Sequence, residues 1–268
     1  APDDLAAIAK RSPDDPLLKT AIASIVLDGS VESQTAAMLS PYGTRGADAG
    51  ELNVTAAELE KMVASLDAQG WQVAIDAAGD RAVRLALDAY AAIAKTAKGA
   101  KAPRHRIENV SVVDPEDIPR FGALGVIASM QPLHAAGDGL VAWSRNTGPE
   151  RAPFGWPARS LSAAGAHLAF GTDWPRVPLD PLAGLRAAVM RPGLHAPEQL
   201  TLKSAINGWT SGAAWASFDE HRKGTIKDGM LADLVILSTD IFAGPARLTA
   251  AEVVMTIFDG KIVYRRSS

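Results

Sequence analysis

Five short apolar runs, each ended by a polar or turn-forming residue and followed by a longer Ala- and Leu-rich stretch, limit what this chain can fold into. The runs are Ile22–Leu27, Trp71–Asp76, His105–Val110, Gly125–Met130 and His167–Gly171. Each has the length of a strand and stops at Asp, Gly, Asn or Pro. The stretches between them carry helix signals. Thr55, with Glu58 three residues later, forms a capping box and predicts a helix to about Gln69. Val83, Leu87, Tyr90 and Ala94 recur at helical spacing in a helix from about Asp80 to Lys95. Asp114-Pro115 opens a third, with proline at its first position. Strands alternating with helices predict a parallel sheet covered on both faces, open or closed into a barrel.

The last part of the chain breaks this rhythm. After a helix around Leu200–Trp215 come strands at Leu231–Leu237, Glu252–Phe258 and Lys261–Tyr264. Asp259-Gly260 joins the last two as a tight hairpin turn, so no helix fits between them and they belong to an antiparallel sheet. The expected organisation is therefore an α/β part at residues 1–225 and a small β segment at 226–268. There is no internal repeat.

Composition removes several function classes. With 47% hydrophobic and 21% charged residues among 268, the chain is an ordinary folded protein with a sizeable core. Lys and Arg number 27 against 30 Asp and Glu, and no basic patch stands out, which argues against nucleic acid and anionic membranes as partners. No cysteine is present, which excludes disulfides, thiolate nucleophiles and cysteine-held metal together. Five histidines leave any metal site short of imidazole. Without a leader-like N-terminus or an apolar stretch of ~20 residues, the chain reads as soluble and cytoplasmic, with a periplasmic or secreted location left open.

Polar residues cluster where the strands end: Asp28-Gly29-Ser30, Asp76 ahead of Gly79-Asp80-Arg81, Glu108-Asn109, Gln131-Pro132-Leu133-His134, and Gly171-Thr172-Asp173-Trp174-Pro175. In parallel α/β folds the carboxyl ends of the strands form the active-site face. Any one of these residues can be a turn former or a cap. Five coincidences on one face point to a site. No GxGxxG, P-loop or nucleophile elbow occurs, so nucleotide binding and a Ser30–His134–Asp173 triad have little support.

The series LDGSVESQTAAML, IDAAGDRAV, RHRIEN, VIASMQPLH and FGTDWP, followed by GTIKDGMLADLVIL, resembles the YtcJ-like branch of the amidohydrolase superfamily, amidohydrolase family 3. The resemblance runs from about Pro16 to Tyr264. It implies a metal-dependent (β/α)8 barrel of TIM type with a small β-sandwich, of which this chain carries barrel strands four to eight and a few sandwich strands. It also implies that Asp173 is a metal ligand and the proton acceptor for an attacking water.

Departures fall at the chemistry. Ser24 stands where the family has a bridging lysine, Asp76 where it has the histidine of HAIGDRA, and Asn109 where it has the histidine of RIEH. Asp28, Gly29, Gly79, Asp80, Arg81, Arg106, Glu108, Gln131 and His134 keep the pattern. A catalytic zinc needs about three protein ligands, preferably imidazole. Asp76, Asp173 and Asn109 make an oxygen set suited to Mg or Mn. A divalent metal is thus expected, Zn by resemblance and Mg or Mn by donor type, with a metal-free protein as the alternative. His134 is a candidate catalytic residue beside Asp173. Asp28, Arg81, Gln131 and Trp174 are candidate substrate contacts, with core packing the competing reading of Trp174. His105 and His167 read as structural, and His195 and His221 as solvated.

The function implied is metal-assisted hydrolysis of amide or other non-peptide C–N bonds in a small molecule, with a depleted metal site. The alternative is a catalytically inactive relative that acts as a binding or scaffold protein. Five strand–helix units leave sticky sheet edges, so a second copy or a missing N-terminal portion is expected to complete the barrel.

Overall fold

The computed structural model describes residues 22–43, 46–94, 103–136, 139–191 and 193–267. Within them β1 (Ile22–Val26) is followed by α1 (Ala56–Ala68), β2 (Gln72–Ala77), α2 (Asp80–Ala94), β3 (Arg106–Asn109), α3 (Ile118–Leu124) and β4 (Ile127–Met130). After a 3-10 turn at Pro132–Ala135 come α4 (Gly139–Thr147), α5 (Ala158–Ala163), β5 (His167–Phe170) and α6 (Pro181–Val189). Next are α7 (Leu202–Asn207), a π turn (Gly208–Gly212) and α8 (Ala213–Ala216). β6 (Leu234–Leu237), α9 (Pro245–Ala250), β7 (Val253–Phe258) and β8 (Lys261–Arg265) close the chain.

The first five strands form one sheet in chain order, and β6, β7 and β8 form a separate one. β1 to β4 pair in parallel, with Val26 opposite Asp76 and Asp76 opposite Glu108. The chain divides into two compact units, Ala1–Ser129 with Ala142–His167, and Met130–Val141 with Leu168–Ser268. The expected boundary at 225/226 lies inside the second of these. None of the described helices is long and apolar enough to cross a membrane.

In the first unit the helices form where their sequences place caps and apolar stripes. The Thr55 hydroxyl accepts the Glu58 N–H while the Glu58 carboxylate accepts the Thr55 N–H, which completes the capping box. Leu59, Val63 and Leu66 are the buried face of α1, and Val83, Ala86, Leu87, Tyr90 and Ile93 that of α2. Ala94, expected on that stripe, is exposed instead. The third helix begins later than Asp114-Pro115 implies. The Asp114 carboxylate accepts the Glu116 N–H in a local turn, and α3 starts only after Asp117. Asp next to Pro suits a turn as well as a cap, and here the turn wins. The expectation of a sheet covered on both faces also fails at β1. Ala23 and Ile25 are buried, but Ile22 and Val26 are 40% and 55% exposed.

His105, just ahead of β3, links three elements. Its Nδ1 accepts the Val73 N–H at 3.0 Å, its Nε2 lies 3.1 Å from Asp67 Oδ1, and its ring stacks on Tyr90 at 5.0 Å. Because Nδ1 is an acceptor, the proton sits on Nε2 and points at Asp67. The Tyr90 hydroxyl reaches the carbonyls of Val73 and Arg106 at 3.1 and 2.9 Å, fastening α2 to β2 and β3.

The second unit holds β5 and the antiparallel sheet. Asp259 and Gly260 both have positive φ, 48° and 75°, as a two-residue hairpin of type I′ needs. The helix expected around Leu200–Trp215 forms, interrupted by the π turn. A Cβ on Gly208 would lie 2.5 Å from the Phe170 ring, and one on Gly212 would lie 2.2 Å from the Leu168 carbonyl oxygen. The two glycines therefore let this helix seat directly on β5.

Gly212→Ala is expected to lower the unfolding free energy by about 1–3 kcal/mol through overpacking against backbone, read by chemical denaturation. Burial holds the His105 pKa below the ordinary histidine range, against the pull of Asp67. The unfolded chain therefore binds the proton more readily than the folded one. Stability is then full above about pH 6.5 and falls as the pH drops below it. Denaturation at pH 7 and pH 5 is expected to show this loss in the parent chain and a smaller one in His105→Asn. Equal losses in both would remove His105 from the explanation.

Candidate active site

At the end of β1 the chain turns through Asp28-Gly29-Ser30, and Asp28 is 4% exposed. Its carboxylate accepts three backbone N–H groups, from Ala37 at 2.8 Å, Ala78 at 2.9 Å and Gly79 at 2.9 Å. Burial pushes its pKa up to about 6, the three amide donors pull it back, and the negative charge of Asp76 adds to the rise. Both oxygens are turned toward backbone, so this carboxylate joins the loop after β1 to the turn between β2 and α2. Asp80 acts alongside it, accepting the N–H groups of Leu39 at 2.7 Å and Arg81 at 2.9 Å. Arg81 donates to the Gly50 carbonyl at 2.8 Å, and its buried Nε has no partner among the described residues.

Glycine is required where these segments touch. A Cβ on Gly29 would lie 2.0 Å from the Thr35 hydroxyl oxygen, and one on Gly79 would lie 2.1 Å from the Ala37 carbonyl oxygen. The Ser30 hydroxyl lies 2.9 Å from that of Ser33, which lies 2.8 Å from that of Thr35. Two residues that the sequence did not single out fix the rest of this loop. Asn146, on α4, donates to the carbonyls of Val31 and Glu32, and Arg151 donates to those of Ser40 and Pro41. Neither carried a signal, because each acts from more than a hundred residues away through one side chain.

The ends of β2 and β3 meet through Asp76 and Asn109. The Asn109 amide nitrogen donates a hydrogen bond to Asp76 Oδ1. Asn109 and the next residue, Val110, both have positive φ, 74° and 51°. Asparagine tolerates this left-handed conformation better than most residues. On the same strand, Glu108 Oε1 lies 2.7 Å from Arg106 Nε.

In the second unit the end of β4 and the end of β5 bring His134 and Asp173 together. Gln131 follows β4 and is buried, with a side-chain oxygen that lacks a partner among the described residues. It leads into the Pro132–Ala135 turn, in which the His134 N–H donates to the Gln131 carbonyl at 3.0 Å. Asp173 follows β5 with φ 61°, and its carbonyl accepts the Arg176 N–H at 2.9 Å. His134 Nε2 lies 3.6 Å from Asp173 Oδ2, the imidazole largely buried and the carboxylate 42% exposed. That separation exceeds a direct hydrogen bond. Trp174 is 65% exposed, which excludes the core-packing alternative for it.

The expected metal set is divided between the two units, Asp76 and Asn109 in the first and Asp173 in the second. Asn109 presents an N–H to Asp76 rather than a lone pair to an ion, and Asp173 pairs with His134. Among the described residues no group of three His, Cys, Asp or Glu is placed to hold a metal. Of the other histidines, His105 is structural and His221 is exposed beside Glu220. The side chain of His195 lies outside the described residues.

Comparison with known proteins identifies the family. The amidohydrolase family matches residues 3–264. The chain is 34% identical over 245 residues to Protein LONG AFTER FAR-RED 3 of Arabidopsis thaliana, covering 89% of this chain and 42% of that one. It is 30% identical over 262 residues to the protein YtcJ of Bacillus subtilis (strain 168), covering 94% and 48%. Among solved structures, an uncharacterized metal-dependent hydrolase from Pyrococcus horikoshii OT3 superposes with a TM-score of 0.80 at 26% identity, covering 94% of this chain and 51% of that one. The chain spans under half the length of the two relatives and about half that of the structure. With the family match running nearly end to end, the chain belongs to the amidohydrolase family.

Proposed function

We propose that this chain supplies the Asp173–His134 end of a hydrolase site that cleaves an amide or another non-peptide C–N bond in a small molecule. The observation that carries this reading is the 3.6 Å approach of His134 Nε2 to Asp173 Oδ2 at neighbouring strand ends. A half-exposed carboxylate beside a mostly buried imidazole provides a proton acceptor and a proton donor at one point. Water attacks the carbonyl carbon and gives its proton to Asp173. His134 hydrogen-bonds the carbonyl oxygen as negative charge develops there. The C–N bond breaks, the amine leaves with a proton, and the acid fragment remains. The buried Gln131 oxygen is an acceptor for an N–H of the substrate, and exposed Trp174 offers an apolar face beside Asp173. In the family a bound divalent metal would supply Lewis-acid activation of the water.

The same reading takes the five-stranded sheet as strands four to eight of an eight-stranded barrel. Sequential order β1 to β5 supports it, since a doubly wound sheet reverses its order midway. The exposed Ile22 and Val26 on β1 support a covering element, either further chain or a second copy.

Assays with N-acyl amines and cyclic amides are the direct test. Asp173→Asn is expected to cut kcat by ~100-fold or more, and His134→Gln by ~10–100-fold, as loss of general acid–base groups does. Turnover unchanged in Asp173→Asn would refute the assignment, and no turnover in the parent chain would favour the non-catalytic alternative. Light scattering on the purified chain is expected to give a mass above the 28.0 kDa of one copy. A stable monomer would count against the covering element.

A further inference from the structure

We infer that the Asp76–Asn109 pair is a metal-independent lock between the ends of β2 and β3, and that no divalent ion is held there. This does not depend on the Asp173–His134 reading, because it concerns a different pair and a different observable.

Donor chemistry is the first ground. A divalent cation is held by lone pairs, and the Asn109 side chain turns an N–H toward Asp76. To admit an ion, the amide would have to reverse and the hydrogen bond would be lost. Asp76 would then be the only anionic ligand of the pair. Register supplies the second ground. Opposite Asp76 lie Val26 on β1, which offers no ligand atom, and Glu108 on β3, whose carboxylate is taken up by Arg106 at 2.7 Å. Ser24 lies farther back on β1, opposite Ala74. Zinc finds fewer than the three ligands it requires, and a harder ion finds too few oxygens to replace its water shell.

Backbone geometry gives the pair its positive role. The chain leaves β3 through two successive left-handed residues, Asn109 and Val110. The Val110 N–H still donates to the Ala77 carbonyl at 3.2 Å. Valine in this conformation is strained, so the turn persists only where its surroundings hold it. The side-chain bond from Asn109 to Asp76 does so, fixing the strand end to its neighbour.

Two measurements on the intact chain test this. The first is a double-mutant cycle with Asp76→Ala and Asn109→Gly, glycine being used because it removes the amide while keeping the left-handed backbone free of strain. Each change is expected to lower the folding equilibrium constant ~10-fold, and the double variant little more than either alone. Strictly multiplicative effects would overturn the lock. Should Asp76→Ala fail to fold, Asp76→Asn takes its place in both measurements. The second is metal content after dialysis, together with titration of ZnCl2 and MnCl2 by calorimetry. The expected result is no stoichiometric metal that depends on this pair, so any ion retained by the parent is retained equally by both single variants. Stoichiometric metal that is lost on substituting Asp76 or Asn109 would overturn the inference whatever the chain's turnover.

Discussion

A carboxylate buried to 4% exposure is costly unless every oxygen is occupied, and Asp28 meets that condition by accepting the N–H groups of Ala37, Ala78 and Gly79. Much of the first unit depends on this interaction. The donors come from two loops, so satisfying Asp28 brings the segment after β1 against the turn that opens α2. The Arg81 and Ala82 N–H groups then donate to the Ala37 carbonyl at 3.1 and 3.4 Å, and Asp80 accepts the Leu39 N–H. Gly79 is glycine because that same carbonyl occupies the place of a Cβ. Asp28, Gly79 and Asp80 thus belong to one hydrogen-bonded unit.

The elements whose determinants are local were legible in the sequence. The capping box at Thr55 and Glu58, the apolar face of α2 and the Asp259-Gly260 hairpin each depend on residues within a few positions of one another. The start of α3 was misplaced because an Asp before Pro serves a turn and a cap by the same carboxylate chemistry. The close seating of the π turn at Gly208–Gly212 was not legible, since its neighbours Phe170 and Leu168 lie some forty residues earlier. Exposure of one face of β1 was hidden for the same kind of reason. A run of Ile, Ala, Ser, Ile and Val reports that a strand forms, not what covers each side of it.

At the strand ends the residue types were legible and their directions were not. Asp28 lies just beyond the end of β1, and Asp76 lies on β2 opposite Val26. Asp28 is turned toward three amide donors and Asp76 toward one side-chain amide. Which partner an aspartate finds is set by loops such as Ala37–Leu39, whose path no local pattern encodes. Asn109 shows the same limit from the other side. Read by spacing it is a candidate ligand; read with its φ of 74° it is also the residue that suits a left-handed strand end. His134 and Asp173 differ because their strands end side by side, with the Gly171 N–H donating to the Met130 carbonyl at 3.2 Å. Two residues placed just beyond such neighbouring ends meet with little help from loop geometry.

The antiparallel sheet carries the last step. Leu234-Val235-Ile236-Leu237 is apolar on both faces of β6, the pattern of a strand buried on both sides, yet Val235 and Ile236 are 54% and 45% exposed. Ile262, Val263 and Tyr264 on β8 are exposed as well. Cross-strand register puts Val235, Thr256 and Tyr264 on one face and Leu234, Ile257 and Ile262 on the other. A sequence written for two covered faces and found with apolar residues open on both is inconsistent with a self-sufficient surface. β1 makes the same statement in the first unit, through Ile22 and Val26. Two separate sheets thus expose the residue types that folding normally hides, while the buried Asp28 carboxylate inside the first unit has both oxygens hydrogen-bonded. Both sheets leave apolar side chains open while the first unit hydrogen-bonds its buried Asp28, and that contrast is the observation on which the proposed covering element rests.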